Sequence, residues 1–272
     1  MKFSMREKIR KVKILKKDFT GRDVSEIILL SYEEFSEELA MTTAFGYSGI
    51  VLMNFIKDTV PQVPIYFIDT RLHFPETIDL MNRIRNEWKL NIQLLYPNFS
   101  EKELDTIIGK NAFRTNPDIC CHYRKVIPLL KVLETKNAWL SAIRRDQFKT
   151  RANLDVIEID GRGMIKINPM WDWSQEKVWF YIKKYELPYN PLHDKNFPSI
   201  GCVPCTAPVN DGEGEREGRW KGLEKKECGI HIHANKEQFI REMATTIDLD
   251  SSLTTISNPD LKKDIHRRKD KS

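Results

Sequence analysis

The sequence contains no apolar run approaching the roughly 20 residues needed to cross a bilayer, so no membrane partner is expected. Its basic start, MKFSMREKIRKVKILKK, lacks the apolar stretch and small-residue cleavage site of a secretory signal, and the chain reads as cytoplasmic. Charge of one sign is also scarce. Lys and Arg number 44 against 39 Asp and Glu, leaving +5 over 272 residues. So slight an excess suits an anionic small ligand better than a long polyanion, and no nucleic-acid partner is expected. There is no Walker A sequence, no G-x-G-x-x-G, no internal repeat and no low-complexity segment. Apolar material is plentiful, at 40% with 13 Phe and 6 Trp, enough for a real core. The length fits one large domain or two small ones.

Cysteine is sparse and odd in number. The five are Cys120, Cys121, Cys202, Cys205 and Cys228, and without an export signal they argue against a disulfide framework. Four form an adjacent pair plus a C-x-x-C, a pattern for a metal site that leaves one thiol for other work. Zinc takes four thiolates tetrahedrally, usually from two spaced knuckles. A directly adjacent Cys-Cys is an awkward chelate for one small ion, whereas the irons of a cubane spread over several ångströms and accept neighbouring thiolates at different corners. The spacing therefore favours an iron–sulfur cluster over zinc.

Residues 1–22 read as a basic, weakly patterned arm, and 23–39 as an amphipathic helix. An α/β rhythm follows, with strands expected at 40–45, 64–68, 91–96, 138–143 and 165–168. Helices are expected at 50–56, 75–88, 100–108 and 174–185. Asp118 is placed to cap a helix that carries Cys120 and Cys121 in its first turn, and Pro128 to kink that helix. Strands alternating with helices predict a parallel twisted sheet covered on both faces, in a nucleotide-binding domain spanning 23–206. Ligands of such sheets bind beyond the carboxyl ends of the strands, at the switch point. After Pro188 the pattern loosens. Residues 207–235 are expected to be a mobile segment, and 236–272 a helix at 236–243 with a basic tail.

Three loops fall at predicted strand ends. Thr42 to Gly49 holds hydroxyls and Gly46 where backbone N–H groups can face a phosphate, although an ordinary tight turn fits the same residues. Asp69-Thr70 can cap the next helix or face a ligand. Arg144, Arg145 and Arg151 put three guanidinium groups in one loop, suited to sulfate or phosphate oxygens or to plain solvation. Arg216 and Arg219 admit the same two readings. Cys228, in KKECGIH, has two lysines and a histidine nearby, a setting that favours the nucleophilic thiolate.

Together these segments resemble the assimilatory sulfonucleotide reductases, the thioredoxin-dependent adenylyl-sulfate and phosphoadenylyl-sulfate reductase family. The matching stretches are FIDTRLHFPET (67–77), CCHYRK (120–125), RRDQFKTR (144–151), YNPLHDKNFPSIGCVPCT (189–206), EREGRW (215–220) and KKECGIH (225–231). The resemblance implies an adenine nucleotide alpha-hydrolase-like fold. It also implies a [4Fe–4S] cluster on Cys120, Cys121, Cys202 and Cys205, and reduction of adenylyl sulfate to sulfite and AMP. Cys228 would be the nucleophile, and thioredoxin or a glutaredoxin-like dithiol would return it to the thiol. Thr43, Gly46, Asp69 and Thr70 match the nucleotide side. Lys125, Arg151, Arg216, Arg219 and His231 match the sulfate and phosphate side. A homo-oligomer is expected. Two departures stand out: the family's acidic pair in the nucleotide loop is Ser48 and Gly49 here, and Arg71 follows Asp69-Thr70 where glycine is usual. A cation at Arg71 leaves the 3′-phosphorylated nucleotide open as an alternative substrate. Remoter alternatives are an ATP-pyrophosphatase or tRNA-thiolating relative, whose Ser-Gly-Gly-x-Asp-Ser run is missing here, and a non-enzymatic zinc or nucleic-acid module.

Overall fold

Three helices begin with the same chemical device. Ser4, Asp23 and Ser100 each accept a bond from the N–H three residues on, and Glu7, Glu26 and Glu103 return it to the cap. They open α1 (Met5–Asp18), α2 (Val24–Phe35) and α5 (Glu101–Ile108). The computed structural model describes residues 3–225 and 227–231; the helix expected at 236–243 and the basic tail lie outside the described residues. The first 22 residues differ from the expected weakly patterned arm. Leu15 and Phe19 sink into the main core, while Ile9 and Ile14 stay exposed and blur the periodicity.

Six strands form one sheet: β1 (Leu39–Thr43), β2 (Ile65–Ile68), β3 (Ile92–Leu95), β4 (Ala138–Leu140), β5 (Ile157–Ile159) and β6 (Ile165–Ile167). The order is β3-β2-β1-β4-β6-β5, and every pairing is parallel except β5 with β6. β5 is absent from the expected set. It has only three residues, and the tight turn at 160–163 folds it straight back on β6, with Gly163 at φ +76°. Every residue of β2 and β4 is buried, so both faces of the sheet are covered.

The chain runs outward from β1 through β2 to β3, then returns to the other side of β1 with β4. The switch point thus lies between β1 and β4. β1 is followed by α3 (Tyr47–Thr59), β2 by α4 (Pro75–Glu87) and β6 by α9 (Gln175–Lys184). Between α5 and β4 come α6 (Ala112–Thr115), α7 (Pro117–Cys121), a π-helical turn at His122–Val126 and α8 (Ile127–Leu133). Asn116, not Asp118, caps α7: its side-chain oxygen accepts from the Ile119 N–H at 3.1 Å, and Asp118 lies in the first turn. Pro128 stands at the start of α8, just after the π turn, where the widened helix absorbs its missing N–H. No helix among the described residues is long and apolar enough to cross a membrane.

Candidate active site

At the carboxyl edge of the sheet, between β1 and β4, lies a cleft. Thr43, Gly46, Lys125, Arg151, Arg216, Arg219, Cys228 and His231 all line it, together with the end of β4 at Ser141–Ile143. Sequence positions nearly 190 residues apart therefore meet where a sheet of this topology binds ligands. Asp69 and Thr70 do not line it. Asp69 accepts from the backbone N–H of Arg71 at 2.8 Å, and Thr70 is fully buried with its hydroxyl 3.2 Å from the Cys202 thiol. Arg71 does not line it either.

The β1–α3 loop is held tightly. Phe45 is 1% exposed at φ +55°, an uncommon conformation for a side chain of that size, and its N–H donates to the Thr43 hydroxyl at 3.0 Å. Gly49 is required beside it, because a Cβ there would sit 2.8 Å from Thr43 Oγ1. The small residue at this departure from the family pattern is what lets the threonine fit.

The three arginines of the 144–151 loop part company. Arg144 is fully buried and pairs with Asp146 and Glu215, each at 2.9 Å; it also donates to the Ser48 hydroxyl and, at 3.0 Å, to Tyr47. Its charge is consumed by the fold. Arg145 stacks on Trp171 at 3.8 Å and donates to the Leu154 carbonyl. Only Arg151 faces the cleft, and its fork is engaged by Glu227, at 2.9 and 2.8 Å. Burial raises the pKa of Glu227, but its bonds to Arg151 and the nearby Arg216 outweigh this and hold it below the usual carboxylate value. Arg219 lies over the Trp220 ring at 4.6 Å and donates to the Cys205 carbonyl at 3.2 Å. Gly201 makes the room for it, since a Cβ there would collide with the guanidinium.

The cleft also contains groups the sequence did not single out. His73 and His193 are each pushed down to about 4, chiefly by burial, so both are neutral near pH 7. Glu215 is raised by burial and pulled back by Arg144. All three fall inside stretches that carry the family resemblance, yet none was given a role; their depth comes from elements far apart in the chain.

The remaining thiols adjoin this cleft. Cys120 and Cys121 come from the end of α7, Cys202 and Cys205 from a short 3₁₀ turn, and all four are buried. An antiparallel bridge between His73 and Cys202 ties that turn to the loop after β2. Arg124, paired with Glu101 at 2.6 Å and bonded to the Thr70 carbonyl at 3.0 Å, braces the other side. The four thiols border one small cavity with Leu72, Phe113, Arg124, Lys125, Arg219 and Trp220. Among the described residues no group of three or more His, Cys, Asp or Glu side chains is arranged to hold a metal ion. Burial raises Cys120 and brings Cys205 to about 11.

Lys125 lies between the two sites and lines both cavities. Burial acts to lower its pKa, but the thiols of Cys202, Cys228 and Cys121 outweigh this and leave it raised, so it stays a cation. Cys228 is half-buried. Its thiol is held well below the ordinary value, first by a hydrogen bond from Cys121 and then, against burial, by Lys125, the Ile230 N–H and Arg219. His231 is kept neutral by burial and by the surrounding Lys166, Arg151, Arg216 and Arg162.

A mostly parallel sheet with a thiol and several cations at its switch point defines a class, that of α/β proteins with a nucleophile poised beside an anion-binding cleft. Residues 38–208 match the phosphoadenosine phosphosulfate reductase domain. A protein from Halalkalibacterium halodurans named adenosine 5′-phosphosulfate reductase is 41% identical over 212 residues, 77% of this chain and 92% of its own length. The crystal structure of phosphoadenylyl-sulfate reductase from Candida auris superposes with a TM-score of 0.65 at 32% identity, covering 72% of this chain and 96% of that one. FMN adenylyltransferase from Candida glabrata shares the fold alone, at 16% identity and a TM-score of 0.51 over 86% of this chain and 82% of that one. The chain belongs to the phosphoadenosine phosphosulfate reductase family.

Proposed function

We propose that this chain is an adenylyl-sulfate reductase of sulfate assimilation, converting adenylyl sulfate to sulfite and AMP with electrons from a protein dithiol, thioredoxin or a glutaredoxin-like protein. One observation carries the reading: Cys228 lines the same switch-point cleft as Lys125, Arg216 and Arg219. The relatives named for adenylyl-sulfate reduction, about 40% identical over most of their length, support the choice of substrate. So does Arg71, which lies away from the cleft and supplies no cation there for a 3′-phosphate.

The nucleotide enters with its adenosine toward Thr43, Gly46 and the β1–α3 loop and its sulfate toward the cations. Lys125, Arg216 and Arg219 neutralise the sulfate and phosphate oxygens, without which a thiolate could not approach. The Cys228 thiolate attacks the sulfate sulfur, the S–O bond to phosphate breaks, and AMP departs with that oxygen and its electron pair. Cys228 is left as the S-sulfonate. A donor thiolate then attacks the Cys228 sulfur and expels sulfite. The donor's second thiol closes its disulfide and returns Cys228 as the thiol. The dithiol thus supplies both electrons. Neutral His231, beside Cys228, can donate a ring N–H to an oxygen of the transferred sulfonate.

Cys120, Cys121, Cys202 and Cys205 fit a [4Fe–4S] cluster. Four buried thiols around a shared cavity, two of them adjacent in the chain, suit a group several ångströms across better than a single ion. When bound, such a cluster supplies a rigid cross-link between α7 and the 202–205 turn and a fixed charge facing Lys125. Iron and sulfide in anaerobically purified protein are expected, and zinc in their place would overturn the assignment.

The decisive test is the intact mass of the protein after anaerobic incubation with adenylyl sulfate and no dithiol, with Cys228→Ser alongside. The parent gains one sulfonate and the variant none, and sulfite release by the variant falls by at least about 10⁴-fold. A parent that stays unmodified with adenylyl sulfate but gains the adduct from the 3′-phosphorylated nucleotide would move the substrate assignment to the latter.

A further inference from the structure

Cys228 sits on a short stretch whose one regular element is a 3₁₀ turn, Gly229–His231. Two groups from distant parts of the chain grip that stretch. On one side, Glu227 receives the Nε and Nη2 donors of Arg151, at 2.9 and 2.8 Å, one donor of Arg216 at 3.3 Å and the Thr150 hydroxyl at 3.2 Å. Arg151 spends a further donor on Gln147, so its fork is committed to the protein. On the other side, Arg162 donates from Nη2 to the Ile230 carbonyl at 2.7 Å. Arg162 belongs to the turn between β5 and β6. Asp160 orients it through bonds of 3.1 and 2.7 Å, and the two side chains are only 3% and 2% exposed. His231 completes the grip, lying parallel to the Trp139 ring at 6.0 Å.

A buried Arg–Asp pair contributes little net stability, because desolvation offsets the attraction. Its charge is better explained by what it holds, and a charged donor to a carbonyl is a strong, directional bond. We propose that Arg162 and Glu227 form a two-point clamp that closes the Cys228 segment over the cleft. Arg162 is then a positioning residue for the thiol, and the Arg151 fork serves Glu227 rather than the sulfate. The proposal rests on the reading of Cys228 as the nucleophile, and it adds two residues to that site: Glu227, which lies in the matching 225–231 stretch without an assigned role, and Arg162, which no local pattern reveals. Arg162 does not line the cleft, so its effect on ligand must pass through the segment.

Hydrogen exchange measured on the peptide covering 227–231 tests the clamp without any turnover. Exchange there is expected to rise about tenfold in Arg162→Ala and in Glu227→Gln, with the strands of the sheet unchanged. Asp160→Asn, which keeps an oxygen for the turn's N–H groups, covers the case in which Arg162→Ala fails to fold, and Arg162→Lys should restore part of the protection. With adenylyl sulfate saturating, S-sulfonate formation in Arg162→Ala falls about tenfold while the dissociation constant for AMP stays within about twofold. Exchange unchanged within about twofold in all the variants would overturn the clamp, whether or not the parent forms the adduct. Loosened exchange in variants of a parent that forms no adduct would uphold the clamp and sink the assignment of Cys228 instead.

Discussion

The two halves of the cleft use the same residue types to opposite ends. On the side of the β1–α3 loop, Arg144, Glu215, Tyr47 and Ser48 bond to one another, and His193 is neutral with its ring edge against Tyr47 and Trp179. On the thiol side, Lys125 and Arg219 face sulfur and the open cleft. An arginine buried with its carboxylate is part of the scaffold; an arginine laid along the wall of a cleft keeps donors available to an anion. The difference lies in burial and partners, and the residues themselves are chemically alike.

Substitutions on the two sides should therefore fail in different ways. The largest effect is expected from Arg144→Ala, which strands Glu215 in the interior; a loss of about 3–5 kcal/mol of stability by denaturant unfolding follows from removing one partner of a buried pair. A stability unchanged within about 1 kcal/mol would show that the Arg144–Glu215 pair is not part of the scaffold and would remove the contrast between the two sides. Acid should next expose the neutral histidines. Because His193 is held near 4 against an ordinary 6.5, the unfolded chain takes up a proton that the folded one refuses. Its contribution is intact above pH 6.5 and is lost as pH falls toward 4, by up to about 3 kcal/mol. His193→Gln should flatten that stretch of the stability curve by part of its slope, since His73 is shifted the same way. The smallest change in free energy is expected on the thiol side. Arg219→Ala should weaken adenylyl sulfate binding by about 10–100-fold, worth about 1.4–2.7 kcal/mol, with the unfolding midpoint almost unmoved.

Much of the plan was legible in the sequence. Amphipathic helices and strands of continuous apolar residues declared themselves, as in 24–35 and 65–68, because burial on one face or on both leaves a local pattern. The antiparallel β5 did not, since three alternating residues carry too little signal, and α1 was masked by its exposed isoleucines. Motif spacing located the thiols and most of the arginines of the cleft. It also set Asp69 and Thr70 beside them, whereas the folded chain turns Thr70 toward Cys202.

What the sequence determined by itself was therefore chemistry and approximate order: which thiols are available, how many cations, and that strands and helices alternate. Only the tertiary structure decided which charges are spent. Arg144, Arg145 and Arg151 lie within eight positions of one another, yet the first is buried with two carboxylates, the second stacks on Trp171, and the third meets Glu227 at the cleft. The physical reason is that a charge acquires its function from its solvation and its partners, and here those partners arrive from segments up to about a hundred residues away.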